Sequence, residues 1–316
     1  MKIIIIGSSG RLGAALMREY RGKYDIDGFN HTQLDLSNLN GVRERLRATN
    51  FDVLINAAAF TNVDLCETER DRAFLINAEA PGVLAKICDD KSAKLIHFST
   101  DYVFDGEKRT AYTEEDEAKP ISVYGESKLA GEKNVLATEN RNLVVRVSWV
   151  FGPDRPSFID GIIKRAQENR EVDAIADKFS APTYTVDIAE MVGRMLDARS
   201  RRALAPDGLR AGHLQALALD GLRADRLQGI VHFANAGECS WQEYAQWALD
   251  RCHEAGLPLK ATNVGARKLK DMANWVARRP VYSVLSTAKY TKFTDMPPRT
   301  WRDAVADYIR RFYSKT

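Results

Sequence analysis

Cysteine is scarce: Cys66, Cys88, Cys239 and Cys252 are the only four in 316 residues. None forms a C-x-x-C pair, so the spacing of a zinc site or a redox dithiol is missing. Free thiols in a reducing compartment, the cytoplasm, are the expectation. Long apolar runs are missing too. The early run Ile3–Ile6 falls far short of the ~20 residues a spanning helix needs. With one lysine before it and no longer apolar core, it does not read as a signal peptide either. Nor is there a charge of one sign: 46 basic against 43 acidic residues leave +3, which gives no footprint for nucleic acid. What is present is 45% hydrophobic and 28% charged. That excludes disorder over most of the chain. At ~150 residues per domain the length suits two units.

Short β-branched runs alternate with helical spacing in the first half. Lys2–Ile6 reads as a strand, followed by a helix with Leu12, Ala15, Leu16 and Tyr20 on one face. Strands are expected at 24–29, 51–58, 94–99 and 142–150. Helices are expected after an N-cap at Ser37 and over 73–86 and 123–136. Strands this apolar, alternating with helices, predict an α/β fold with a doubly wound parallel Rossmann sheet. Beyond Phe151 the rhythm breaks at Gly152, Pro153 and Pro156. Helices are expected at 157–169, 183–196, 241–252 and 301–312, in a smaller C-terminal α/β substrate lobe. The division is 1–150 and 151–316, with segments near 184–198 and 229–240 returning to the first sheet. Residues 203–228 hold a tandem duplication, ALAPDGLRAGHLQ then ALALDGLRADRLQ. Two short copies suit a tolerant surface connection better than a solenoid.

Three groups of residues carry chemistry. Gly7-Ser8-Ser9-Gly10-Arg11-Leu12-Gly13 joins the first strand to the first helix. Glycines there let the backbone approach a pyrophosphate, and the helix N-terminus offers free N–H groups to it. The second strand ends in Asn30-His31-Thr32 without an acid for a ribose 2′-OH. This favours NADPH, with His31 or Arg11 facing a 2′-phosphate and NADH left open; Asp35 and Leu36 are placed for the adenine. In Tyr124-Gly125-Glu126-Ser127-Lys128, the Tyr and Lys share a helix face at i and i+4. A nearby ammonium favours the phenolate and suits the Tyr to proton transfer. Ser99 to Gly106 follows a buried strand, where open α/β sheets place ligands. A hydroxyl at that strand end can polarise a carbonyl. Together these describe carbonyl reduction by hydride transfer.

The strings GSSGRLG, NAAAFTNVDLCE (56–67), FSTDYVFDGEK (98–108), YGESKLAGEK (124–133), RVSWVFG (146–152), APTYTVDIA (181–189) and RRPVYSVLST (278–287) resemble the dTDP-4-dehydrorhamnose reductase family of extended short-chain dehydrogenase/reductases. The resemblance implies a catalytic triad of Thr100, Tyr124 and Lys128. It implies that Gly10, Arg11 and Leu12 meet the cofactor pyrophosphate, with Gly7 and Gly13 also in the cofactor site. Ala57, Ala59, Thr61 and Phe98 would line the cofactor, and Lys128 would hold its ribose. Thr100, Asp101, Trp149 and Arg279 would contact a nucleotide-sugar substrate. The implied reaction is NADPH-dependent reduction of a 4-keto sugar to dTDP-L-rhamnose. A homodimer is left open, and the family's dimer-bridging magnesium has no matched acidic ligands here. Three departures touch the sugar side: Lys178 stands for Gln, Ser180 for Gly, and Tyr282 for the Asn of RPxNS. They keep a second 4-keto nucleotide sugar in play. A non-catalytic NADP-binding subunit of methionine adenosyltransferase is the reading outside enzymology.

Overall fold

The computed structural model describes residues 1–138, 142–203 and 228–314. Nearly all of the duplicated stretch lies outside the described residues. Strands β1 (Lys2–Ile6), β2 (Asp25–Phe29), β3 (Val53–Asn56), β4 (Lys94–Thr100) and β5 (Leu143–Val147) alternate with helices α1 (Arg11–Tyr20), α2 (Leu39–Arg47), α3 (Val63–Thr68), α4 (Arg70–Phe74), α5 (Ala80–Asp90) and α6 (Val123–Leu136). After β6 (Val150–Phe151) come α7 (Phe158–Glu168), β7 (Val172–Ile175), β8 (Phe179–Ser180), β9 (Thr183–Tyr184) and α8 (Thr185–Ala203). The chain ends with β10 (Gly229–His232), β11 (Cys239–Ser240), α9 (Trp241–Glu254), β12 (Val264–Arg267), α10 (Ala288–Thr294) and α11 (Trp301–Phe312).

Six parallel strands form the main sheet in the order β10-β5-β4-β3-β1-β2. The order reverses at β1, which lies between β2 and β3; ligands of such sheets bind at this switch point. The run of isoleucines in β1 explains itself there. Ile3 and Ile5 pack toward Leu12 and Leu16 of α1 and Ile188 and Val192 of α8. Ile4 and Ile6 pack on the opposite face toward Val42, Leu46 and Leu84. A second core joins Phe151, Ile162, Tyr244, Leu249, Trp301 and Val305 around α7, α9 and α11. In that half the strands form three short pairs, β6 with β9, β7 with β12 and β8 with β11.

Local readings need four corrections. Asn38, not Ser37, caps α2: its Oδ1 accepts from Gly41 N at 3.0 Å. The strands expected at 51–58 and 142–150 are shorter, covering 53–56 and 143–147. The second is interrupted because Trp149 adopts a left-handed φ of +41°. The helix expected over 73–86 is broken by a π turn at Leu75–Glu79. At its centre the Asn77 side chain bonds both the N–H and the C=O of Phe60, at 2.8 and 3.0 Å. Wide turns of this kind are rare and sit mostly at functional sites.

Candidate active site

The glycine loop leaves β1 and enters α1 with its backbone packed close. Gly7 has a φ of +81°, and a Cβ there would lie 2.9 Å from the Ala58 nitrogen. A Cβ on Gly13 would lie 2.1 Å from the Gly7 carbonyl oxygen. No side chain caps the first turn of α1, whose N-cap is Gly10. The N–H groups of Arg11, Leu12 and Gly13 therefore stay available to an anion. The Arg11 guanidinium turns elsewhere. It donates to the carbonyls of Pro156 at 2.5 Å and Arg155 at 3.3 Å. Leu36 is 4% exposed and packs in the core, while Asp35 accepts from Ser37 N at 2.9 Å. Ala57 and Ala59 are half-buried past β3, Thr61 is exposed, and Phe98 is buried in β4.

Tyr124 and Lys128 project from one face of α6 toward the carboxyl end of β4. Tyr124 lies next to the Thr100 side chain. Thr100 Oγ1 donates to Asp101 Oδ1 at 3.1 Å. Burial raises the Tyr124 pKa above its ordinary value, against the Thr100 contact, so the phenol carries its proton at neutral pH. Lys128 Nζ donates to the Phe98 carbonyl at 2.6 Å and lies 3.3 Å from His97 Nε2. Burial pushes the Lys128 pKa down to about 8, with Glu132 opposing. Burial, then the charge of Lys128, holds His97 well below its usual range, so it is neutral.

The sequence reading missed several residues that hold this arrangement. Glu132, one further turn along α6, accepts from Ser99 Oγ at 2.5 Å and from both Arg146 Nε and Nη2, at 2.9 and 2.6 Å. Asn77 donates to Ser127 Oγ at 3.0 Å, and Ser127 Oγ donates to the Tyr124 carbonyl at 2.8 Å. Asp101 is 2% exposed, and its Oδ2 accepts from Ser148, Ser180 and Ser283 at 2.9, 3.3 and 2.5 Å. Its carboxylate is thus satisfied from inside the protein. The motif strings held Ser148 and Ser283, and Ser180 stood out as a departure, but nothing local joined them, because they lie 47, 182 and 79 residues from Asp101.

Trp149 is half-buried, meets Trp241 edge-on at 5.5 Å, and lies near Lys178. Arg279 stacks over Trp275 at 3.8 Å and is gripped by Asp64, with Nη2–Oδ2 at 2.6 Å. A cavity of about 590 Å³ opens nearby, lined by Asp105, Arg109, Trp275, Arg278 and Arg279 among others. That volume is in the range of small-molecule sites. Tyr282 donates to Glu238 at 2.5 Å. Among the described residues no group of three or more His, Cys, Asp or Glu is placed to hold a metal ion. No described helix is long and apolar enough to cross a membrane.

A family model described as the RmlD substrate binding domain matches residues 1–314. A dTDP-4-dehydrorhamnose reductase of Mycolicibacterium smegmatis is 33% identical over 315 residues, covering 98% of this chain and 85% of that one. A Streptomyces antibioticus protein named "Probable dTDP-4,6-dihydroxy-2-methyloxan-3-one 4-ketoreductase" is 32% identical over 309 residues, 97% of this chain and 94% of that one. A solved dTDP-4-dehydrorhamnose reductase from Bacillus anthracis, in complex with NADP, superposes with a TM-score of 0.83 at 29% identity, covering 98% and 99% of the two chains. With a family match over almost its whole length, the chain belongs to the dTDP-4-dehydrorhamnose reductase family, oxidoreductases of the extended short-chain dehydrogenase/reductase type.

Proposed function

We propose that this protein reduces the C4 ketone of dTDP-4-dehydro-6-deoxy-L-mannose to dTDP-L-rhamnose, with NADPH as reductant and Tyr124 as proton donor. One observation carries the reading: Tyr124 and Lys128 share one face of α6 at the carboxyl end of β4, with Tyr124 next to Thr100 and Lys128 Nζ on the Phe98 carbonyl at 2.6 Å. The uncapped first turn of α1 and the glycines that no Cβ would fit suit a dinucleotide pyrophosphate. Bound NADPH would supply the hydride, which with the Tyr124 proton accounts for both hydrogens added to the ketone. The backbone N–H groups of Arg11, Leu12 and Gly13 hold the pyrophosphate. Ala57, Ala59, Thr61 and Phe98 line the cofactor, and Lys128 donates to its ribose. Thr100 orients the ketone oxygen, and Tyr124, protonated at neutral pH, gives that oxygen its proton. Trp149 and Arg279 border the sugar nucleotide. NADPH is preferred because Asn30, His31 and Thr32, which follow β2, include no acid to hold a 2′-OH.

A second reading keeps the chemistry and changes the hexose. The buried Lys178 motivates it. A panel of 4-keto nucleotide sugars, offered with NADPH and NADH, separates the two. Turnover of dTDP-4-dehydro-6-deoxy-L-mannose with NADPH is expected; folded protein that turns over only another sugar overturns the first reading. In Tyr124→Phe, kcat should fall by roughly 10²–10⁴-fold. A near-normal kcat would remove Tyr124 from proton transfer.

A further inference from the structure

Lys178 is fully buried, yet no hydrogen-bond acceptor reaches its Nζ. Its neighbours are aromatic rings: the ammonium lies 5.3 Å from the Tyr102 centroid and 5.4 Å from that of Trp149. Asp101 is the carboxylate whose charge bears on it, but that carboxylate is taken up by hydroxyls of Thr100, Ser148, Ser180 and Ser283. A buried ammonium without an acceptor is costly. Desolvation, however, strengthens attraction to ring faces.

The two rings have different positions. Tyr102 packs edge-on against Tyr124, centroids 5.6 Å apart. Trp149 is half-exposed and holds a φ of +41°. A non-glycine residue stays in that region only where its surroundings over-determine it. Trp241 and Lys178 are two of those surroundings. One buried cation therefore links Tyr102, the ring packed on Tyr124, to the partly exposed ring of Trp149.

We propose that Lys178 is a positioning residue: its ammonium clamps Trp149 and Tyr102 and so presents the exposed part of Trp149 to the substrate hexose. The ammonium itself does not touch the sugar. This rests on the functional reading above, in which Trp149 borders the sugar. Burial pushes the Lys178 pKa down to about 8, against the charge of Asp101, which leaves most of it protonated near neutral pH.

The test compares Lys178→Met, which keeps the length and removes the charge, with Lys178→Arg, which keeps the charge. Tryptophan emission of ligand-free protein is read in the wild-type and Trp149→Phe backgrounds. Lys178→Met should shift the emission only where Trp149 is present. In kinetics, its KM for the sugar nucleotide should rise about tenfold or more, the worth of a desolvated cation–π contact. The KM for NADPH should stay within about twofold and Tm should not fall, since a buried unpaired charge has been removed. Lys178→Arg should recover most of the loss. Unshifted Trp149 emission overturns the clamp, and a wild-type sugar KM in Lys178→Met overturns the positioning role. A fall in Tm with both KM values rising together shows a merely structural residue and overturns it too. Wild-type protein that reduces no nucleotide sugar defeats the functional reading instead, while the emission arm still decides whether the clamp exists.

Discussion

His97 and His232 sit fully inside the sheet region, and neither is available for protonation. Burial, then Arg146, holds His232 at about 3 against an ordinary 6.5, and His97 lies well below 6.5. Unfolded, both rings take up a proton below about 6.5; folded, they do not. The unfolded state then binds more protons, so stability falls as pH drops from about 6.5 toward 3. The slope is up to ~1.4 kcal/mol per pH unit for each ring. Urea unfolding at about pH 7 and about pH 5 should show this loss, and His232→Gln should flatten it. Equal slopes for wild type and variant would contradict the account. At this scale the sequence was partly legible. Tyr124 and Lys128 are four residues apart, and helix geometry alone puts them on one face. Asp64 gripping Arg279 across 215 residues has no local signal.

Helix α6 carries more than the Tyr124–Lys128 pair proposed for proton transfer. Tyr124, Lys128 and Glu132 recur every four residues, so the face that holds the proposed reacting groups also holds its anchor. Glu132 and Arg146 form a bidentate pair with side chains 1% and 3% exposed, tying α6 to β5, while Ser99 ties it to β4. Such a pair adds little net stability over apolar packing, but breaking it strands a buried charge. Glu132→Gln should therefore cost ~3–5 kcal/mol in urea unfolding. The double variant Glu132→Leu with Arg146→Met should recover much of that loss. If the single variant is no less stable than wild type, the pair does not anchor the helix. The π turn at Leu75–Glu79 belongs to the same story. Its sequence reads as ordinary helix; the turn widens where Asn77 reaches Phe60 and Ser127, partners that only folding supplies.

The two halves of the molecule are stitched at the glycine loop. Arg11 donates to the carbonyls of residues 155 and 156, Arg155 donates to the Ser9 carbonyl at 2.9 Å, and Arg18 pairs with Asp154. Arg11→Met should lower stability by about 1.5–3 kcal/mol, the usual worth of hydrogen bonds from a charged group. NADPH affinity should change by less than about threefold, because in the proposed cofactor site the uncapped backbone N–H groups meet the pyrophosphate, while this guanidinium is taken up by carbonyls. An affinity loss beyond about tenfold with unchanged stability would place the guanidinium on the cofactor instead.

The sequence by itself determined the α/β class, the order of the early strands and helices, the glycine turn and the Tyr–Lys pair. Each rests on spacing within a few residues, where chain geometry leaves little choice. Tertiary structure alone decided the rest. It placed a left-handed Trp149 just past the end of the fifth strand, turned the Arg11 guanidinium onto the carbonyls of residues 155 and 156, and enclosed Asp101 in hydroxyls from three separate segments. It also left a buried ammonium facing rings rather than carboxylates. Those outcomes depend on which distant groups share one desolvated space, and desolvation is a property of the packed chain, not of any stretch of it.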